Sequence, residues 1–286
     1  LSFGKLSHKY NLSKTRVWNI CHEELQKLPN NNQFSFSYCS RYSAIFAFDG
    51  KYLNVKGFAY KPVLLWGLDY FRHDIPVFDL NTAENYHSWA RFFSFFRLLN
   101  HRPQLIVCDD NYNLKLAARN LFPSIKIQTC VNHYKENIRR QLQTRSNPFY
   151  RQFSKSIDKI LSQKLSQEVF NKQLLLLYQK YGRDQVAQQV LLNIHKNQAE
   201  LLAYRGIHQA PLTSNIIESF NSHLQSRLFS LKSFNSLKHA KLWLNGYVLK
   251  RRMTKFTGCN SKFRYLNDKT GVMMTKKPGV DIPSYF

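Results

Sequence analysis

Three acidic residues stand at positions where a solvated surface charge is a poor explanation. Asp49 ends the apolar run 44–48, Asp109 ends the run 105–108, and Glu218 lies in Thr213-Ser214-Asn215-Ile216-Ile217-Glu218-Ser219-Phe220-Asn221, a polar patch opening a basic, apolar-periodic segment. Acids are scarce in this chain, 17 Asp plus Glu against 42 Lys plus Arg. Two strand-end carboxylates and one from a helix can converge on hard divalent cations, which take oxygen ligands. In so basic a chain, the matching chemistry is the cutting and joining of nucleic acid. Two such ions, roughly 4 Å apart, can activate the attacking oxygen, stabilise the leaving one and screen the phosphate between them.

Asp49 is the expected bridging ligand, because the end of a central strand fixes its direction. Asp109 is expected at the end of the neighbouring strand, and Glu218 closes the site from a helix. Asp110 follows Asp109 and points to the opposite face if the strand continues, so Asp109 is the expected ligand and Asp110 the reserve. Singly, a strand-end Asp is an ordinary turn former and a helix-start Glu an ordinary partner of the helix dipole. The weight lies in all three appearing in this element order. Cys130-Val131-Asn132-His133 adds one thiol and one imidazole, too few for a closed zinc site. His133 could touch the scissile phosphate or orient a carboxylate above a packed Cys130. It could equally be a buried histidine capping the next helix.

The elements that must hold these residues are legible from periodicity. Strand-like runs cover 42–55, 62–69, 75–80, 104–108 and 125–129, with helices over 85–99 and 114–121. Three strands, helix, strand, helix, strand is the element order of an α/β ribonuclease H-like core. From 134 to 205 nearly everything is helical in period, with stripes at Phe149, Phe153, Ile157, Ile160, Leu161 and at Phe170, Leu174, Leu177, Tyr178, Tyr181. This is an all-α insertion before Glu218, broken where Gly182 and Asp184 meet. Two further helices carry Glu218 and the stripe Leu237, Ala240, Leu244, Tyr247, Val248.

At the start, 2–25 reads as a small helix-turn-helix, with Tyr10-Asn11-Leu12 as the turn and Ser13 as the cap of a helix running from 14 to about 28. Ser13, Lys14, Thr15, Arg16 and Asn19 would then meet DNA at its exposed start. An ordinary helical hairpin has the same punctuation. The Asn-rich stretch 29–33 reads as a linker, and the last 30 residues as a poorly ordered tail. The expected divisions are 1–33 (helix-turn-helix and linker), 34–145 (first part of the core), 146–206 (insertion), 207–256 (Glu-bearing helices) and 257–286 (tail). The chain opens on Leu1, which an unusual start codon or a lost upstream segment would explain.

A formal charge of +25 opposes compactness, and a polyanion relieves it. Nucleic acid is the expected partner, since each neutralised phosphate releases counterions. Further contacts are expected from Lys135, Arg139 and Arg140, from Arg227, Lys232, Lys238 and Lys241, and from Lys250, Arg251 and Arg252, although any one such residue is more often a solvated helix face. No run approaches the roughly 20 apolar residues of a membrane span. Neither a signal peptide nor a disulfide framework is visible, since the five cysteines are scattered. The expected setting is cytoplasmic, nucleoid-associated in a bacterium or otherwise intracellular.

Taken together, Phe48-Asp49-Gly50, Asp109 before a helix ending in Leu121-Phe122-Pro123, Gln128-Thr129-Cys130-Val131-Asn132-His133 and the Glu218 motif resemble the Mutator-like DDE transposases, including their bacterial insertion-sequence members. The resemblance spans roughly 40–255. It implies a ribonuclease H-like core with a helical insertion before the Glu, and a Cys-x-x-His signature between the second Asp and Glu218. It implies catalysis with Mg²⁺, for which Mn²⁺ substitutes, by Asp49, Asp109 and Glu218 with His133 beside them. Hydrolysis at a transposon end would expose a 3′ hydroxyl that attacks target DNA. Double-stranded DNA, as transposon ends and as target, would be the partner of a homodimer or larger assembly. The family commonly has Asp-Gly at the second position, where this chain has Asp109-Asp110. Two alternatives keep the same residues in view: a structure-specific nuclease or resolvase of this fold, and an inactive transposase-derived DNA-binding protein.

Overall fold

A computed structural model of the chain describes residues 3–286; Leu1 and Ser2, the start of the expected helix-turn-helix, lie outside the described residues. Five strands, β1 (Ile45–Tyr52), β2 (Val63–Asp69), β3 (Phe78–Asn81), β4 (Leu105–Cys108) and β5 (Lys126–Thr129), form one mixed sheet in the order β3-β2-β1-β4-β5. The pairs β1–β2 and β2–β3 are antiparallel, whereas β1–β4 and β4–β5 are parallel. The chain is therefore mixed α/β, with β1 at the centre. Helix α4 (Tyr86–Leu98) connects β3 to β4, and α5 (Tyr112–Leu121) connects β4 to β5.

Both faces of the sheet are covered, so β2 and β4 are buried along their whole length, as expected of strands packed on two sides. Alternation divides β1 between the faces. Phe46 and Phe48 join Trp89, Phe92, Phe93 and Phe96 of α4 in one cluster, while Ile45 and Ala47 join the helices that follow β5 in another. Asp49 has the parity of Ile45 and Ala47, which aims it at the second set of helices. Gly67 pairs with Phe48, whose ring lies over it; a Cβ at Gly67 would come within 2.1 Å of that ring. Gly67→Ala is expected to cost about 1–3 kcal/mol of stability in urea unfolding, because Phe48 must leave its place among the α4 aromatics. A change under a few tenths of a kcal/mol would show that the ring moves freely.

Beyond β5 come α6 (Val131–Gln141), α7 (Arg151–Leu161), α8 (Gln167–Tyr181), α9 (Gln185–Lys196) and α10 (Gln198–Leu201), then α11 (Asn215–Leu231) and α12 (Leu237–Met253). Gly182 ends α8 and the Asp184 carboxylate caps α9, accepting from the Ala187 amide. Phe153, Ile157, Ile160, Leu161, Phe170 and Leu174 are buried as their spacing predicts. Phe149 and Tyr178 of the expected stripes are instead exposed, since Phe149 precedes the first turn of α7 and Tyr178 sits on the solvent side of α8.

At the beginning, α1 (Phe3–Tyr10) and α2 (Lys14–Lys27) form a helical pair around a turn at Asn11, and Ser13 caps α2 by accepting from the Arg16 amide. Helix α2 lies on α12, where Leu25 occupies the space a side chain at Gly246 would fill. Two expectations fail nearby. The stretch read as a linker begins a helix, α3 (Asn31–Tyr38), capped by the Asn30 side chain. Asn31 is buried: its amide N–H donates to Asn245, and its side chain donates to the carbonyls of Ile75 and Pro76. Those side-chain contacts, with that of Ser35 to Pro76, take up backbone that would otherwise start β3 at Ile75. The last 30 residues also pack rather than trail. A 3₁₀ turn (Ser261–Leu266) and α13 (Gly271–Thr275) bury Leu266, Val272 and Thr275, and the Thr275 carbonyl accepts from the amides of Ser40 and Arg41.

Candidate active site

The parallel pairing of β1 with β4 sets Ala47 opposite Val107. Asp49 and Asp109 each lie two residues further on, so period two carries both side chains to the same face and the same end of the sheet. Helix α11 crosses that end. Its first turn carries Glu218, and one turn later Asn221 donates to an Asp49 carboxylate oxygen. The other Asp49 oxygen accepts from the Gly50 amide at 2.8 Å. Asp49 is thus held by neutral amides. Burial first, and the Asp109 carboxylate second, push its pKa up to about 6. A carboxylate so placed has a charge that an added cation would stabilise.

His133 bridges the other two acids. Its Nδ1 contacts Asp109 Oδ1, and its Nε2 lies 3.7 Å from Glu218 Oε1. The bond to Asp109, then one to Cys130, push its pKa up to about 11. The Ser214 hydroxyl donates to Glu218 at 3.3 Å. Cys130 is buried, and burial alone would push its thiol up; hydrogen bonds with His133 and Ser214 outweigh this and bring it below the ordinary value. The sequence left open whether His133 serves the acids or caps a helix, and the geometry sets it between the acids.

The two motifs that looked separate in the sequence form one structure. Val131 donates its amide to the Leu212 carbonyl, Ser214 its amide to Cys130 Sγ, and the Asn132 side chain donates to Asn215. The starts of α6 and α11 are laced together in this way, and the lacing fixes Glu218 relative to β4 and β5. The site therefore offers two donor sets. Asp49, Asp109 and Glu218 supply hard oxygens suited to Mg²⁺. The donor atoms of Asp109, Cys130 and His133 lie within 4.8 Å of one another and make a mixed set of borderline softness.

Asp110 turns away from this cluster. Lys115, with a side chain only 6% exposed, binds Asp110 and Glu200 and donates to Thr129 Oγ1 at 3.0 Å. Burial opposes its charge, but the two carboxylates hold its pKa above the ordinary lysine value. Glu200 also pairs with Arg119, tying α10 to α5 beside the site. Neither Lys115 nor Glu200 was visible as functional in the sequence, because the contact joins distant segments. Lys115→Met is expected to cost about 2–3 kcal/mol in chemical unfolding, less than a fully buried pair because Asp110 can turn to water. A loss below about 0.5 kcal/mol would mean that the network is solvated and idle.

The expected DNA contacts divide. Ser13, Lys14, Thr15 and Arg16 are exposed at the start of α2, and Asn19 is half-buried. Arg140 is exposed and lines, with Asp109, Asp110, His133 and Glu136, a cleft of about 500 Å³. Arg139 is spent on Asp158, which ties α6 to α7. Arg227 and Lys250 are exposed, the latter over the Phe286 ring at 4.7 Å. Arg251 is half-buried between the rings of Phe220 and Phe256. Arg252 is a correction: it is 1% exposed and bound to Asp74, out of reach of any DNA on the surface. No helix among the described residues is long and apolar enough to cross a membrane.

The sequence profile of the family described as "Transposase, Mutator family" matches residues 4–249. No curated protein matches the chain significantly. Among solved structures, the chain is similar to the HTLV-2 integrase catalytic core domain in complex with magnesium, with 15% identity over 41% of this chain and 81% of that one and a TM-score of 0.26. It is also similar to a chain of the simian T-cell lymphotropic virus intasome in complex with PP2A regulatory subunit B56 gamma, with 15% identity over 55% of this chain and 49% of that one and a TM-score of 0.24. Both superpositions are too loose to bear on the chemistry.

Proposed function

The chain belongs to the Mutator family of transposases, and we propose that it cuts DNA at transposon ends and joins the freed 3′ ends to target DNA, with Asp49, Asp109 and Glu218 as the ligands of Mg²⁺. The observation that carries this reading is that His133 contacts both Asp109 and Glu218, while Asn221, one turn after Glu218, binds Asp49. Three carboxylates brought to one end of the sheet, one of them pushed up to about 6, fit a site that gains stability from divalent cations. Bound there, Mg²⁺ (or Mn²⁺) would supply an activated nucleophile and charge stabilisation at the leaving oxygen.

The protein's own part is positioning. Asn221 and the Gly50 amide hold Asp49 in one orientation, and Ser214 does the same for Glu218. His133 holds Asp109 on the side facing Glu218, while Lys115 keeps Asp110 away. Arg140 flanks the cleft with a charge suited to a phosphate. In the first reaction a water oxygen forms a bond to phosphorus and the 3′ oxygen leaves; in the second that 3′ hydroxyl oxygen bonds to a target phosphorus while the target strand's own 3′ oxygen leaves. No covalent link to the protein is needed.

On this reading the core is ribonuclease H-like, from 34–145 and 207–256, with 146–206 as its helical insertion. Residues 1–33 begin with a DNA-reading helix pair, and 257–286 close over the core. The exposed start of α2 supports end recognition, which a structure-specific resolvase would not require. Two ends must be brought together, so a homodimer or larger assembly on double-stranded DNA is proposed, inside the cell. Purified protein mixed with the element's own end sequences is expected to nick them only with Mg²⁺ or Mn²⁺, and to produce strand-transfer products. Protein that binds these ends yet never cuts them with either metal would make the chain a DNA-binding derivative.

A further inference from the structure

Helix α11 leads from the acidic site to a second feature. Glu218, Ser222, Gln225 and Phe229 follow one another at steps of three or four, so they form one stripe along the helix. From Glu218 to Phe229 the stripe runs about 16 Å, the span of roughly five stacked nucleotides. At its far end is a groove of about 470 Å³ between α11 and the turn joining β1 to β2, lined among others by Tyr52, Lys61, Gln225, Phe229 and Lys232. Phe229 is 83% exposed and Tyr52 52% exposed. Tyr52 donates its hydroxyl to Glu84 at 2.7 Å, which fixes its ring, and β1 carries Asp49 three residues before it.

The groove has a firm floor. Phe234 is buried, its amide donates to the Asn54 carbonyl, and its carbonyl accepts from the Lys56 amide, both at 2.9 Å. The Asn54 side chain donates to the Lys232 carbonyl. Among the described residues that line it, two are lysines and none is acidic. An exposed ring on a rigid wall beside cations suits a nucleobase with its phosphates, since every base offers a π-face and the backbone supplies negative charge.

We propose that this groove is a single-strand DNA subsite, taking unpaired nucleotides that adjoin the phosphate to be cut. Phe229 stacks on a base, and Lys61 and Lys232 meet the backbone. The proposal rests on the reading of the Asp49–Asp109–Glu218 cluster as the place of cutting. It adds that the DNA is locally unpaired when it reaches that cluster. A base can stack on Phe229 only when it is unpaired and turned out of the helix, so single-stranded and duplex DNA would be told apart there.

The test uses the full chain in EDTA at physiological salt, so that binding is read without cleavage. A fluorescent 15-nucleotide single strand and a duplex of the same length are titrated by anisotropy. Phe229→Ala is expected to weaken the single strand about 5- to 30-fold, the loss of one stacked base, and to leave the duplex within about twofold. Phe229→Trp is expected to keep the wild-type affinity, which a merely steric role would not require. Equal single-strand affinity for wild type and Phe229→Ala would overturn the proposal. So would a change in oligomeric state, read by sedimentation, with strand affinity untouched, since the ring would then belong to a protein interface. If the wild type never cuts DNA but Phe229→Ala still loses the single strand, the groove stands and the reading of the acidic cluster falls.

Discussion

Glu218→Gln protein is expected to bind end DNA within about twofold of the wild type and to cut it about 10³-fold more slowly. The substitution keeps size and leaves an oxygen for the Ser214 hydroxyl, which donates to Glu218 in the wild type. It removes the negative charge, and with it the electrostatic reason for a divalent cation to sit opposite Asp49 and Asp109. A loss of 10³ corresponds to about 4 kcal/mol of transition-state stabilisation, the scale of one preorganised charged contact in a water-poor site. Binding should survive if, as proposed, it rests on the exposed cations of α2, α6 and α12, more numerous than the site's acids. Asp49→Asn should behave alike. Its unfolding midpoint should not fall, since the native carboxylate is already disfavoured by burial and by Asp109. Single-turnover cleavage assays beside anisotropy measure both quantities. Strand transfer that survives Glu218→Gln at wild-type rate would remove Glu218 from the chemistry.

Arg252→Ala is expected to destabilise the protein by about 3–5 kcal/mol, enough to threaten folding at ordinary temperature. Both Arg252 and Asp74 have side chains 0% exposed. All five guanidinium donors are occupied: two meet Asp74 at 2.7 and 2.8 Å, and the others reach Asn31, Ser35 and the Cys39 sulfur. Removing the cation strands a buried carboxylate that also accepts from the Thr275 hydroxyl. The loss would therefore spread to α3 and α13 at once. Adding Asp74→Asn should recover part of it, because the uncompensated charge goes. Urea unfolding of the single and double variants checks this. A stable Arg252→Ala protein with weakened DNA affinity would restore the surface role that the basic run suggested.

Arg252 also shows where the sequence misled. Lys250-Arg251-Arg252 reads as a basic run at the end of a helix, which favours cations for the dipole alone. Helical period set against the buried Asn245, Val248 and Leu249 puts position 252 on the inner face. That signal was present and outweighed by composition. The partner was not legible, since Asp74 lies in an irregular stretch before β3. Asn31 failed for a related reason: Asn is a poor helix interior but a good first turn and cap, and its buried bonds come from Asn245 and Arg252.

What sequence did carry were features set by short-range rules. Strand alternation and apolar runs located all five strands, and Ser13, Asn85 and Gly182 stand at helix ends as expected. Asp49 was expected at the end of its strand, but β1 runs on to Tyr52 against β2; Asp49 and Asp109 still lie level because each stands two residues past the last β1–β4 pair, Ala47 with Val107. The lacing of Cys130 and Asn132 to Ser214 and Asn215, and the contact of Asn221 with Asp49, join segments far apart in the chain and left no short-range mark in the sequence. Asn221 was in the quoted motif, one turn from Glu218, and that spacing was its only trace.

Side chains 49, 109 and 218 are proposed to share divalent cations. Anomalous diffraction from crystals grown with Mn²⁺ tests this most directly. The expected result is a peak within about 2.0–2.4 Å of carboxylate oxygens from Asp49 and Asp109, with Glu218 in the same ligand shell. A peak held by Asp109, Cys130 and His133 without Asp49 or Glu218, or no peak beside Asp49 at all, would contradict it.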